Sequence, residues 1–175
     1  MNNFRYYKDD DSILFNSKNW EWRVLSNMQP CSICHDDVFF QSSEMLFWWL
    51  RFQGEGKERQ QVRDALISQE GYWNGFNCKK IAKANKHLID REINEYDCLL
   101  TALEEKVVYC EAFREALKMS GDKNLVEYAP WGDVRYGTIY NEKTGLYEGV
   151  NACGRLMMKV REGFFNGEYP IYDPL

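Results

Sequence analysis

Tyr96-Asp97-Cys98-Leu99-Leu100-Thr101-Ala102-Leu103-Glu104-Glu105-Lys106-Val107-Val108-Tyr109-Cys110-Glu111-Ala112-Phe113-Arg114-Glu115-Ala116-Leu117-Lys118 is the longest periodic stretch of this chain. Tyr96, Leu99, Leu100, Leu103, Val107, Cys110, Phe113 and Leu117 recur at threes and fours, which places them on one apolar stripe of a helix. The stretch predicts a helix from Tyr96 to Lys118, closed by Gly121. Lys106 lies within it, and a surface or salt-bridged role is expected for that lysine.

Toward the N-terminus, Cys78 to Leu88 reads as a helix carrying Lys79, Lys80, Lys83 and Lys86, with weak apolar positions. That basic segment is either a solvated face or a phosphate contact. Gly71, Gly75 and Asn77 predict irregular chain before it. Arg59 to Gln69 is amphipathic through Val62, Ala65 and Leu66. Met45 to Phe52 is too aromatic and continuous for a surface helix. It predicts a buried one, capped by Ser42 or Ser43, with Glu44 in the first turn where free N–H groups favour a carboxylate. Ser12 to Phe15, Trp20 to Leu25 and Val38 to Phe40 have the pattern of short strands.

Toward the C-terminus, Leu125 to Tyr128 predicts a strand leading to a turn in which Pro130 and Gly132 bracket Trp131. A hairpin is expected between Asp133 and Val150, turning at Asn141 to Gly145. Asn151 is positioned to cap a final helix reaching Glu162, with Gly154 allowing close backbone approach. The tail after Gly163 is expected to pack weakly. Strands and helices do not alternate regularly, so the class is α+β, a helix-rich single domain with a few short strands.

At 175 residues the chain can bury a core without staples. Its net charge of -5 gives no general affinity for nucleic acid, although a local basic patch is compatible with it. No apolar run is long enough to span a bilayer, and Met1 to Asp11 has neither signal nor anchor character, so a cytoplasmic location is the expectation. The six cysteines include Cys31 and Cys34 beside His35, but no second ligand pair of comparable spacing follows. Free thiols are expected.

The common nucleophile-elbow, phosphate-loop, dinucleotide and H-E-x-x-H motifs are absent. The second of two histidines, His87, sits on the basic segment, and neither histidine has a triad partner legible in sequence. Carboxylate chemistry remains. Glu44 begins a hydrophobic helix, and Asp133 stands beside an indole and a glycine. Such a pair can manage the charge that develops as a glycosidic bond breaks.

Five segments, in order and spacing, resemble the NADAR family of YbiA-like N-glycosidases. They are Leu25-Ser26-Asn27-Met28, Ser43-Glu44-Met45-Leu46-Phe47 with Arg51-Phe52, the long helix through Lys106 to Glu127, Trp131-Gly132-Asp133, and Asn151-Ala152-Cys153-Gly154-Arg155-Leu156-Met157-Met158-Lys159-Val160-Arg161. The resemblance covers residues 12 to 163, leaving 1–11 as a polar N-terminal segment and 164–175 as a tail.

The resemblance implies cleavage of the bond between ribose and a nitrogenous base, without metal or cofactor. The substrate would be a riboflavin-pathway ribosylamino-pyrimidine phosphate or ADP-ribosyl-guanine, including that base in nucleic acid. It assigns catalytic positions to Glu44, Asp133 and Arg51, and substrate-binding positions to Ser26, Asn27, Trp131, Gly132, Asn151, Gly154 and Arg161. Two positions depart from the family: Arg51 replaces a lysine and Met45 a histidine. An arginine cannot form a Schiff base and stays protonated. A non-catalytic ADP-ribose or nucleotide-binding module is therefore the alternative, and a structural protein displaying aromatics is the third reading. The 134–148 loop looks longer than the family's linker, which suits a lid or a larger substrate.

Overall fold

The structure is a computed structural model describing residues 3–19 and 21–172. Its elements are β1 (Arg5–Tyr7), β2 (Ser12–Phe15), β3 (Ile33–His35), β4 (Val38–Phe40), α1 (Ser43–Arg51), α2 (Lys57–Ile67), α3 (Asn74–Ala84), α4 (Glu95–Tyr109), α5 (Glu111–Met119), β5 (Asn124–Glu127), β6 (Ile139–Asn141), β7 (Leu146–Gly149) and α6 (Ala152–Phe165). Short 3-10 turns span Arg23–Leu25 and Lys86–Leu88. This is a helix-rich α+β fold. None of its described helices is long and apolar enough to cross a membrane.

Contacts gather the described residues into two compact units, one from 3–19 and 21–26 with 112–169 and one from 27–111 with 170–172. The second is helical and centred on α1, which packs against α2, α3 and α4. Ser42 caps α1 by accepting the Met45 N–H at 3.3 Å, and Met45, Leu46 and Phe47 are buried behind the cap. The antiparallel β3–β4 hairpin packs on α4, with Ile33 opposite Phe40. The other unit pairs β2 with β5 in parallel, Ser12 opposite Asn124 through Phe15 opposite Glu127, and α6 packs on β5. A separate antiparallel sheet runs β1-β7-β6.

Three local expectations are corrected. Residues 23–25 form a 3-10 turn and not a strand: the Leu25 N–H donates to the Trp22 carbonyl at 3.0 Å and the Ser26 N–H to the Arg23 carbonyl at 2.9 Å. Trp20, the first residue of that expected strand, lies outside the described residues. The 96–118 helix breaks at Cys110, whose backbone is extended (φ -112°, ψ 98°). The Val108 carbonyl, which a continuous helix would give to Ala112, instead accepts the Tyr172 N–H at 3.1 Å. Tyr172 also packs its ring on Tyr109 at 5.4 Å, so the tail up to that residue is docked on α4. Finally, Gly75 and Asn77 lie inside α3: a Cβ on Gly75 would sit 3.1 Å from Met28 Cα, so the glycine lets the helix lie against that backbone.

Candidate functional site

In the unit formed by 27–111 and 170–172, the first turn of α1 is held by Asn27. Its carbonyl accepts the Glu44 N–H at 3.1 Å, and its Oδ1 accepts the Ser43 hydroxyl at 3.1 Å. Glu44 is buried at 8% exposure, and one carboxylate oxygen accepts the Trp48 Nε1–H at 2.8 Å. The Arg51 guanidinium lies 5.5 Å from the Trp48 ring centre and 5.7 Å from that of Phe47. Its Nη1 then meets Glu95 Oε2 at 3.2 Å.

Positions 44, 48 and 51 are successive neighbours on one helix face, so α1 alone spaces the carboxylate, the indole and the guanidinium. Glu95 comes from the first turn of α4, which Asn94 caps by accepting the Tyr96 N–H at 3.0 Å. The result is a row of acid, indole, cation and acid in a largely buried setting. Sequence reasoning named Glu44 and Arg51 but missed Trp48 and Glu95. The Glu44/Trp48 spacing of one helical turn and the Asn94-Glu95 helix start were the available signals.

Other groups in this unit are less exposed than expected. Lys106 is fully buried, contrary to a surface role. Its charge acts on the Cys31 thiol, which the Cys110 hydrogen bond and then burial push well above the usual range while Lys106 opposes the rise. Cys78, with its thiol donating to the Leu66 carbonyl at 3.5 Å, is pushed up to about 12 by burial and then by Glu44. His35 does find a partner: Nδ1 lies 2.7 Å from Glu105 Oε1. All six cysteines are free, and among the described residues no group of three His, Cys, Asp or Glu could hold a metal ion.

In the unit formed by 3–19, 21–26 and 112–169, Trp131 is 55% exposed in its turn, and Gly132 adopts φ +96°. Asp133 Oδ1 accepts the Tyr136 N–H at 3.1 Å, bending the chain into the loop that carries β6 and β7. Ser26 is buried, and its N–H donates to the Arg23 carbonyl at 2.9 Å.

Asn151 does not cap α6 with its side chain. Its amide instead straddles β5, Oδ1 accepting the Glu127 N–H at 3.0 Å and Nδ2 donating to the Leu125 carbonyl at 2.9 Å. The backbone at Asn151 is left-handed (φ 50°), a conformation asparagine tolerates. Gly154 lies so close to β5 that a Cβ would be 2.0 Å from the Leu125 oxygen. Arg161 Nη1 donates to Ser120 Oγ at 2.8 Å and to the Lys123 carbonyl at 2.9 Å, and burial lowers its pKa against the opposing effect of Asp122.

Compared with known proteins, no family model matches the chain, and no curated protein matches it. A solved structure does: the NMR structure of the E. coli protein YbiA superposes with a TM-score of 0.64 over 91% of this chain and 88% of that one, at 20% identity. The chain has the YbiA fold. Likeness to YbiA at this identity establishes architecture, while the chemistry rests on the side chains.

Proposed function

We propose that the protein is an N-glycosidase hydrolysing the bond between ribose and a nitrogenous base in a phosphorylated ribosyl or ADP-ribosyl substrate. The observation that carries this reading is the buried Glu44 carboxyl in a YbiA-type fold, held by the Trp48 N–H at 2.8 Å and followed on the same face by Arg51. A fixed, poorly solvated carboxyl is suited to general acid chemistry. Glu44 delivers a proton to the departing base nitrogen, the C–N bonding pair leaves with the base, and positive charge develops on the ribosyl carbon and ring oxygen. Water then adds at that carbon and returns a proton to the carboxylate.

Arg51 contributes charge and position but no covalent intermediate, because a guanidinium does not form a Schiff base at ribose. Glu95 holds it. The exposed Trp131 indole is assigned a stacking role on a flat ring, and Asp133 a ribose contact. The binding-module alternative draws on Arg51, held by Glu95, where the resembled family has lysine, and on Met45, where it has histidine.

The test is base release from ADP-ribosylated guanosine, a ribosylamino-pyrimidine phosphate and NAD, with wild type beside Glu44→Gln. Release from one substrate, lost in Glu44→Gln, supports the glycosidase and selects its substrate. Undiminished release in Glu44→Gln removes Glu44 from the reaction. Thermal stabilisation by ADP-ribose without any release moves the conclusion to the binding module.

A further inference from the structure

The chain from Gly71 to Ile89 contains four lysines and no Asp or Glu, in a protein of net charge -5. The structure sorts this segment by face. Asn74, Gly75, Cys78 and Ala82 are buried on the side of α3 that packs inward. On the opposite side, Phe76, Lys80 and Lys83 follow one another at intervals of four and three, and Trp73, the cap residue just before α3, stands three residues ahead of Phe76 in line with that stripe.

Trp73 is 60% exposed and Tyr72 45%, and Lys80, Lys83 and Lys86 are exposed as well. The rings form a cluster of their own: Tyr72 and Trp73 centroids are 5.1 Å apart and perpendicular, and Trp73 and Phe76 are 5.2 Å apart. A cluster of exposed aromatic rings, beside lysines with no ion pair among the described residues, is the mark of an interaction surface.

We propose that this face of α3 binds a single-stranded polynucleotide, with unpaired bases stacking on Trp73 and Tyr72 and backbone phosphates paired with Lys80, Lys83 and Lys86. Aromatic platforms beside a cationic track are the chemistry that single strands require. The stripe from 73 to 83 is about 15 Å long by helical rise, enough for only a few nucleotides, so micromolar binding is expected. An anionic lipid surface is the lesser fit, because the stripe offers no Leu, Ile or Val to bury in acyl chains.

The placement gives the face a purpose. Asn74, which follows Trp73, accepts the Ser42 hydroxyl at 2.5 Å and donates to the Gln41 carbonyl at 3.3 Å. Ser42 is the cap of α1, whose first turn carries Glu44. A strand gripped at the aromatic corner is thus held beside the helix start that bears the proposed acid. That delivery role rests on the glycosidase reading; the binding surface does not.

The experiment is fluorescence anisotropy with a labelled single strand of about 15 nucleotides, the same sequence as duplex, and vesicles containing phosphatidylserine. Wild type, Glu44→Gln, Trp73→Ala and a Lys80→Ala/Lys83→Ala double variant are compared. The proposal expects wild type and Glu44→Gln to bind the single strand equally and more tightly than the duplex. Trp73→Ala should weaken binding about tenfold. The lysine double variant should flatten the salt slope by about 1.4. Release of base from ADP-ribosylated guanosine should be unchanged in the α3 variants, while release from the modified strand falls with binding.

Wild type without strand binding at about 50 mM salt, or Trp73→Ala binding like wild type, overturns the proposal. So does patch-dependent capture by vesicles with no strand affinity. If no substrate releases base, the anisotropy result still decides the surface, so failure of the two readings is distinguishable.

Discussion

The indole N–H of Trp48 donates to the Glu44 carboxylate across 2.8 Å, one turn further along the same helix. This bond turns a first-turn glutamate, which a helix start would welcome for electrostatic reasons alone, into a carboxyl with a fixed orientation. It also links Glu44 to Arg51, whose guanidinium lies against the same indole.

Glu44→Gln keeps the shape of the first turn and removes the proton donor. Base release should fall by about 10²- to 10⁴-fold with little change in thermal midpoint. Trp48→Phe keeps the ring against Arg51 but deletes the N–H, and a loss of about tenfold in kcat is expected. Steady-state kinetics on the substrate selected by the release panel measures both, and equal activity in Trp48→Phe would remove the bond from the mechanism.

Arg51 and Glu95 form a pair whose side chains are 16% and 10% exposed. Removing either partner alone strands a charge in a poorly solvated site. Arg51→Leu or Glu95→Leu should each cost about 3–5 kcal/mol in urea denaturation, and the double replacement should recover most of that loss. Additive losses in the double variant would show that the two groups do not depend on one another.

Asn151 satisfies two β5 backbone groups at once, the Glu127 N–H and the Leu125 carbonyl. Asn151→Ala should destabilise by about 2–4 kcal/mol, since both groups lose their partner inside the fold. Gly154→Ala places a methyl carbon against the Leu125 oxygen, a backbone atom unable to yield, and soluble expression should fail. Hydrogen exchange at Glu127 should rise in Asn151→Ala, which separates loss of the clamp from general softening.

Burial, with Glu44 adding to it, places the Cys78 pKa at about 12 in the folded chain. An unfolded thiol titrates near about 8.5. The folded state therefore keeps its proton while the unfolded state loses it, so stability is fully present below about pH 8.5 and declines as pH rises toward about 12. The loss across that window is on the order of 5 kcal/mol, and Cys98 and Cys31 act in the same direction. Urea midpoints between neutral and alkaline pH should fall for wild type and fall less for Cys78→Ala.

Much of this molecule is written in local pattern. Ser12 to Phe15, the Ser42 cap with Glu44 behind it, the Val38–Phe40 strand and the 139–149 hairpin all follow from short-range spacing, capping and turn chemistry. The α+β class follows from them, because each depends on residues within a turn or two of one another.

Tertiary contact decided the rest. The stripe across Tyr96 to Lys118 is continuous in sequence, yet the helix breaks at Cys110 and the Val108 carbonyl takes the Tyr172 N–H from far along the chain. Lys106 sits on a pattern compatible with the surface and is fully buried. Asn151 has the identity of a helix cap and spends its amide on β5, while Glu95 becomes the counter-charge of Arg51 only when α4 packs on α1. A sequence specifies which groups a residue can bond. Which partner it receives depends on backbone groups and charges brought close from far along the chain, and burial makes an unfilled bond costly enough to fix the choice.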